Sequence, residues 1–173
     1  MTKHMESKKT ALFAGSFDPI TKGHENILLR AMPLFDEIII GIGLNSEKKS
    51  FFSLEQRKRW IETAFANYPK VKVATYDGLT IDFCRKTNVR FLIRGIRNHE
   101  DFMYEQNLAL INKDLAPEIE TVFFSTLPEF STVSSSLVRE LLAFGKDVSK
   151  YLPEAIGTDF EKTTKTQQYD TKS

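Results

Sequence analysis

Gly15-Ser16-Phe17-Asp18-Pro19-Ile20-Thr21-Lys22-Gly23-His24 separates two stretches of different periodicity. Before it runs the apolar Ala11-Leu12-Phe13-Ala14; after it Ile27, Leu28, Ala31, Leu34 and Phe35 recur at helical spacing. The pattern predicts a strand, a glycine-bounded loop and a helix opening, which together aim backbone N–H groups at an anion. His24 falls in the first helical turn, where the helix dipole favours negative charge. Gly23 lets the backbone approach a ligand closely. No Gly-Lys-Ser/Thr appears, so this is not a Walker A loop, and kinases or ATPases of that type are disfavoured. An isolated Thr-x-Gly-His is as readily a helix cap beside a surface histidine. The strand and the Gly-Ser-Phe-Asp-Pro in front of it favour a phosphate site.

The same alternation continues downstream. A helix is expected over 22–35, then Glu37-Ile38-Ile39-Ile40-Gly41-Ile42-Gly43, a near-continuous apolar run suited to a strand buried on both faces. Ser53-Leu54-Glu55-Gln56 has the spacing of a capping box and opens a helix through Ala66. Further strands are expected at 71–74, 89–93 and 121–124. Between and after them come helices over 79–87, 101–115 and 134–144, and a short one beyond Pro153. This order predicts an α/β fold, a Rossmann-like doubly wound five-stranded parallel sheet with helices on both faces. Ligands of such sheets sit at the carboxyl ends of the strands, near the switch in strand order. The distinctive loops, 15–24, 45–52, 76–80, 94–99 and 125–136, all fall at such ends.

With 173 residues the chain has room for one domain, expected over 11–160. Residues 1–10 read as a flexible extension. The polar stretch 161–173 lacks apolar periodicity and reads as a disordered tail. Twenty-four basic and 23 acidic residues leave a net charge of +1, so nothing global calls for nucleic acid or an anionic membrane. No apolar run reaches the roughly 18 residues that span a bilayer. The first ten residues lack the apolar segment of a secretory signal. The single cysteine, Cys84, excludes an intrachain disulfide and suits a reducing compartment, so the cytoplasm is the expected location.

Three groups of residues carry candidate chemistry. Arg94 and Arg97 flank Gly95 directly after a strand, and their planar forks suit phosphate oxygens, although two solvated loop arginines would look the same. Lys48 and Lys49 taken alone are a solvated charge run; only their position promotes one of them. Ser134-Ser135-Ser136 opens a helix. A cap explains one serine, whereas three at a strand-to-helix junction suggest a second phosphate cradle, with Arg139 either supporting it or facing solvent. His99-Glu100-Asp101 has no partners at metal-ligand spacing and reads as a helix start. Cys84 reads as a packed thiol. The phenylalanines are mostly core, with Phe130 set apart by its loop.

Taken together, Gly-Ser-Phe-Asp-Pro-Ile-Thr-Lys-Gly-His and the downstream Ser-Ser-Ser-Leu-Val-Arg resemble the paired signature of the HxGH/TxGH nucleotidylyltransferases. Ile93-Arg94-Gly95-Ile96-Arg97, Asp101-Phe102-Met103-Tyr104-Glu105 and Ser134-Ser135-Ser136 resemble the phosphopantetheine adenylyltransferase family in particular. The resemblance implies transfer of the adenylyl group of ATP to 4′-phosphopantetheine, giving dephospho-coenzyme A and pyrophosphate. It further implies Mg²⁺ bound through the ATP phosphates with no protein metal site, a homohexamer, and feedback by coenzyme A. By matching position, His24, Lys48 and Arg94 would be catalytic. Ser16, Lys48, Thr80 and Arg94 would hold the acceptor. Ser16, Phe17, His24, Gly95, Ile96, Arg97, Glu105, Phe130, Ser131, Thr132, Val133, Ser134, Ser135 and Ser136 would bind ATP. Serine at position 16 replaces a common threonine and keeps the hydroxyl; Phe130 stands where tryptophan is common. Two alternatives stay open on the residues alone: a related transferase acting on nicotinate mononucleotide or a cytidyl donor, and a nucleotide-binding module without catalysis.

Overall fold

The computed structural model describes residues 8–44 and 49–170. Strands and helices alternate: β1 (Thr10–Gly15), α1 (Lys22–Ala31), β2 (Glu37–Leu44), α2 (Leu54–Ala64), β3 (Val71–Asp77), α3 (Thr80–Lys86), β4 (Phe91–Ile96), α4 (His99–Leu115), β5 (Glu120–Ser125), α5 (Ser135–Ala143) and α6 (Gly157–Asp170). The five strands form one parallel sheet in the order β3-β2-β1-β4-β5. Strand order therefore reverses between β1 and β4, and the carboxyl ends of these two strands frame the ligand position of an open α/β sheet. No helix among the described residues is long and apolar enough to cross a membrane.

The period-2 alternation of β1 divides the core. Ala11 and Phe13 join one apolar cluster with Ile27, Leu28, Trp60, Ile61 and Phe160. Leu12 and Ala14 join another with Tyr76, Ile81, Cys84 and Leu92. Each face of a parallel sheet needs a cover of this kind, which the helices supply. Cys84 is fully buried, as expected of a packed thiol, and burial pushes it up to about 12.

Four expectations need correction. The first helix ends at Ala31 rather than running to Phe35, because Pro33 starts a single 3₁₀ turn, Met32–Leu34. β4 extends to Ile96, so Arg94 and Gly95 belong to a strand and point to opposite faces of the sheet. The fourth helix starts at His99 rather than Asp101, because the Asn98 side chain accepts from Asp101 N–H at 2.8 Å and caps it. The polar C-terminal stretch is helical to Asp170. Ile156 just before this helix and Phe160 in its first turn are buried, and Asp159 accepts from Trp60 Nε1–H at 2.7 Å.

Candidate active site

At the carboxyl ends of β1 and β4 lies a cleft of about 350 Å³. It is lined by the loop after β1, the start of α1, the end of β4, one face of α4 and the start of α5. Segments more than a hundred residues apart thus build one site, as the paired motifs implied. The segment holding Lys48 lies outside the described residues.

The loop from Gly15 to His24 is fixed by side chains that hold its backbone in place. The Asp18 carboxylate is buried and accepts from Phe51 N–H at 2.8 Å and Phe52 N–H at 2.9 Å. Arg139 Nη1 donates to the Asp18 carbonyl at 2.6 Å, and Ser135 Oγ donates to the Pro19 carbonyl at 2.7 Å. Asp18-Pro19 is a cis peptide, and Phe17 has a φ of 46°. A bulky residue in the left-handed region is strained and persists only where its surroundings hold it there. Here the Phe17 ring is 2% exposed and packs edge-on to Phe13 and His24 at 5.4 and 5.1 Å.

His24 is oriented through its inner nitrogen. Thr21 N–H donates to Nδ1 at 3.1 Å, and Thr21 Oγ1 lies 2.9 Å from the same atom. A backbone N–H can only donate, so Nδ1 carries no proton, and the neutral ring holds its proton on Nε2. Burial, then the charges of Arg97 and Arg94, lower its pKa from 6.5 to about 4. At neutral pH His24 is therefore an uncharged N–H donor.

The two arginines are already engaged. Arg94 faces Glu105 with Nε and Nη2, the first contact being 2.7 Å, while Nη1 donates to the Ala14 carbonyl at 2.8 Å. Arg97 grips Asp101 through Nε at 2.7 Å and Nη2 at 3.0 Å. The hydrogen bonds of that pair hold the Asp101 carboxyl below its ordinary range. Gly95, between the two arginines, lies beneath α1: a Cβ there would overlap Ile27 Cδ1.

The serines divide their duties. Ser134 Oγ caps α5 by accepting from Leu137 N–H at 3.1 Å, and Ser135 ties the helix to the first loop. Ser136 Oγ accepts from Arg139 Nη2 at 3.1 Å, which leaves its own O–H free to donate. Arg139 is thus a support rather than a solvent-facing residue.

Of the residues expected to meet ligands, Ser16, Phe17, His24, Arg94, Gly95, Arg97, Glu105 and Val133 to Ser136 line the cleft. Ile96, Phe130, Ser131 and Thr132 do not. Thr80 lies in an adjoining hollow of about 170 Å³ that shares Ala14, Arg94 and Glu105 with the cleft, and its hydroxyl sits 2.9 Å from Tyr76 OH. Sequence reading missed Asp101 and Thr126 as cleft residues. The i,i+4 spacing from Arg97 was a usable signal for the first. Thr126 gave none, yet its hydroxyl is buried at the cleft wall without a partner among the described residues.

Chemically, the site offers donors and cations, while its carboxylates, Glu105 and Asp101, are neutralised by arginines. It suits a polyanion held between two helix openings. Residues 12–141 match the cytidylyltransferase-like family. The chain is similar to the phosphopantetheine adenylyltransferase of Flavobacterium johnsoniae, 51% identical over 148 residues, covering 86% of this chain and 97% of that one. It is 50% identical over 151 residues to that of Phocaeicola vulgatus, covering 87% and 99%. A bifunctional NMN adenylyltransferase/ADP ribose pyrophosphatase from Francisella tularensis shares the fold, with a TM-score of 0.66 at 18% identity, over 84% of this chain and 45% of that one. Half-identity across nearly the full length of those transferases shows that this chain belongs to the phosphopantetheine adenylyltransferase family.

Proposed function

We propose that this chain transfers the adenylyl group of ATP to 4′-phosphopantetheine, releasing pyrophosphate and forming dephospho-coenzyme A. The observation that carries the reading is His24, a neutral Nε2–H donor at a cleft built from two helix openings. The nucleophile is a substrate phosphate, already an anion, so no protein base is required. A phosphate oxygen bonds to the α-phosphorus of ATP as the bond from that phosphorus to the bridging oxygen breaks, and pyrophosphate departs with those electrons. What remains for the protein is in-line positioning and neutralisation of charge. His24 Nε2–H and Ser136 O–H serve as donors to phosphate oxygens. Arg97 supplies positive charge beside the ATP phosphates, and Arg94, at the junction of the cleft and the Thr80 hollow, faces the acceptor phosphate. Lys48 is assigned to the acceptor phosphate from the sequence alone.

Among the described residues no group of three or more His, Cys, Asp or Glu side chains is placed to hold a metal ion. The reading has Mg²⁺ bound through the ATP phosphates, where it would offset their charge. The reading includes the cytoplasm as location, in keeping with a buried free thiol. It also includes assembly into a homohexamer, supported by an exposed apolar α4, and feedback by coenzyme A through overlap with the acceptor's binding region.

The test is pyrophosphate release from ATP and Mg²⁺ with 4′-phosphopantetheine as acceptor, run beside nicotinate mononucleotide. Release with the first acceptor alone is expected. Turnover of nicotinate mononucleotide alone would move the chain to a different acceptor, and no release from either would remove the enzymatic reading. Adding coenzyme A to the same assay is expected to slow it competitively with 4′-phosphopantetheine.

A further inference from the structure

Arg57 is a buried charge that the chemistry above leaves unused. It sits on α2, outside the cleft lining, and is 4% exposed. Its Nη1 donates to the Ser16 carbonyl at 2.7 Å, whereas its Nε finds no partner among the described residues. Burial lowers its pKa, and the nearby Asp18 carboxylate opposes that shift. Burying a guanidinium is costly, and one unpaired N–H adds to the cost. A leucine here would complete the helix's apolar face more cheaply, so the charge calls for a reason in the group it holds.

That group is the Ser16–Phe17 peptide. In a trans peptide the carbonyl oxygen and the following N–H point in opposite directions. With the Ser16 oxygen drawn inward to Arg57, the Phe17 N–H is turned the other way, and both residues line the cleft. Among the described residues that N–H has no protein acceptor. The strained φ of 46° at Phe17 fits the same picture, since a relaxed backbone would rotate this peptide.

We infer that Arg57 is a positioning residue for the transfer reaction: by holding the Ser16 carbonyl inward it keeps the Phe17 N–H aimed at a phosphate oxygen in the cleft. It touches no substrate and acts only through this peptide. Asp18 secures the next residue through Phe51 and Phe52, so α2 and its leading loop set the floor of the site from beneath. The inference rests on the phosphate reading of the cleft.

The test combines ¹H–¹⁵N spectra with kinetics on Arg57→Met and Arg57→Lys. In the unsubstituted protein, added pyrophosphate or ATP is expected to shift the Phe17 amide downfield. In Arg57→Met that shift should vanish and kcat fall about 100-fold, the scale of a misplaced reacting group, with KM for ATP changing far less. Arg57→Lys keeps a donor and should recover to within about tenfold of the original kcat, the scale of one modestly weakened contact. Should the Met variant fail to fold, the Lys variant carries the test: a Phe17 shift reduced in step with kcat is expected. A Phe17 amide that shifts fully in either variant despite lost activity would overturn the role given to Arg57. No shift in the unsubstituted protein with either probe would instead overturn the phosphate reading itself.

Discussion

At the scale of single residues, His24 shows how environment decides what a side chain can do. An imidazole of ordinary pKa titrates close to physiological pH; this one is held neutral by burial and by Arg97 and Arg94. Its ring should titrate with a midpoint of about 4 and show the Nε2–H tautomer at pH 7, both measurable by ¹⁵N imidazole spectra. The linkage follows in sign. Between pH 6.5 and about 4 the unfolded chain binds a proton that the folded chain refuses, so this contribution to stability is full above 6.5 and is lost as pH falls toward 4. His24→Ala should therefore flatten that acid limb when urea midpoints are compared across the interval. The same variant should lower kcat by roughly 10²–10³-fold, as loss of one transition-state donor does, with little change in ATP affinity. An equal loss of affinity and turnover would make His24 a binding residue only. His24 and the serine triplet were legible in the sequence because their types are unusual at strand-to-helix junctions. The Arg94–Glu105 pair was not, since each was assigned a ligand of its own and only the packing of α4 against β4 brings them together. Arg57 was hidden more completely, as one charge among several on a helix whose buried face is defined by Trp60, Ile61 and Ala64.

Elements add what residue types cannot supply, namely close approach. Gly95 lies on β4 directly beneath Ile27 of α1, and both residues line the cleft. Gly95→Ala should destabilise the fold by about 1–3 kcal/mol through overpacking. Ile27→Val, which removes the obstructing Cδ1, should cost about 0.5–1.5 kcal/mol alone. Because the same atom is involved, the double variant should lose clearly less than the sum, a coupling readable from urea midpoints. Additive losses would mean that α1 shifts as a body. Periodicity had located both elements, and the capping box at Ser53 was legible down to its reciprocal bonds: Ser53 N–H to Gln56 Oε1 at 2.8 Å and Gln56 N–H to Ser53 Oγ at 3.2 Å. Ser53→Ala should cost about 1 kcal/mol, seen as a lower Tm. The last helix was misread for a physical reason. Its composition is polar, and its hold on the core comes from Asp159 and Phe160 in its first turn and Ile156 just before it, grouped with Trp60 of α2. Local pattern cannot display a contact made by sequence-distant partners.

For the molecule as a whole, the sequence showed five strands and a parallel sheet, whereas the order β3-β2-β1-β4-β5 is a property of long-range pairing. That order puts β5 at an edge, with α4 leading into it. α4 is the element whose surface the single chain leaves least explained. None of its 17 residues is buried, and Tyr104, Leu110, Ile111 and Leu115 are between 51% and 67% exposed. Contiguous open apolar surface of this kind marks an interaction face rather than a solvated one. Copies of the same chain are the partner that the hexamer reading supplies, and a closed ring would cover α4 in every subunit alike. Tyr104 and Leu110 are the informative positions, because neither lines the cleft or the Thr80 hollow. Light scattering should give a hexameric mass for the unsubstituted chain, and Tyr104→Asp with Leu110→Asp should reduce it to the monomer while circular dichroism stays unchanged. Glu105, the partner of Arg94, rides on this helix, so loss of the neighbouring subunit should also loosen one wall of the cleft and raise KM for the acceptor. A monomeric unsubstituted chain would leave the α4 surface needing a different partner.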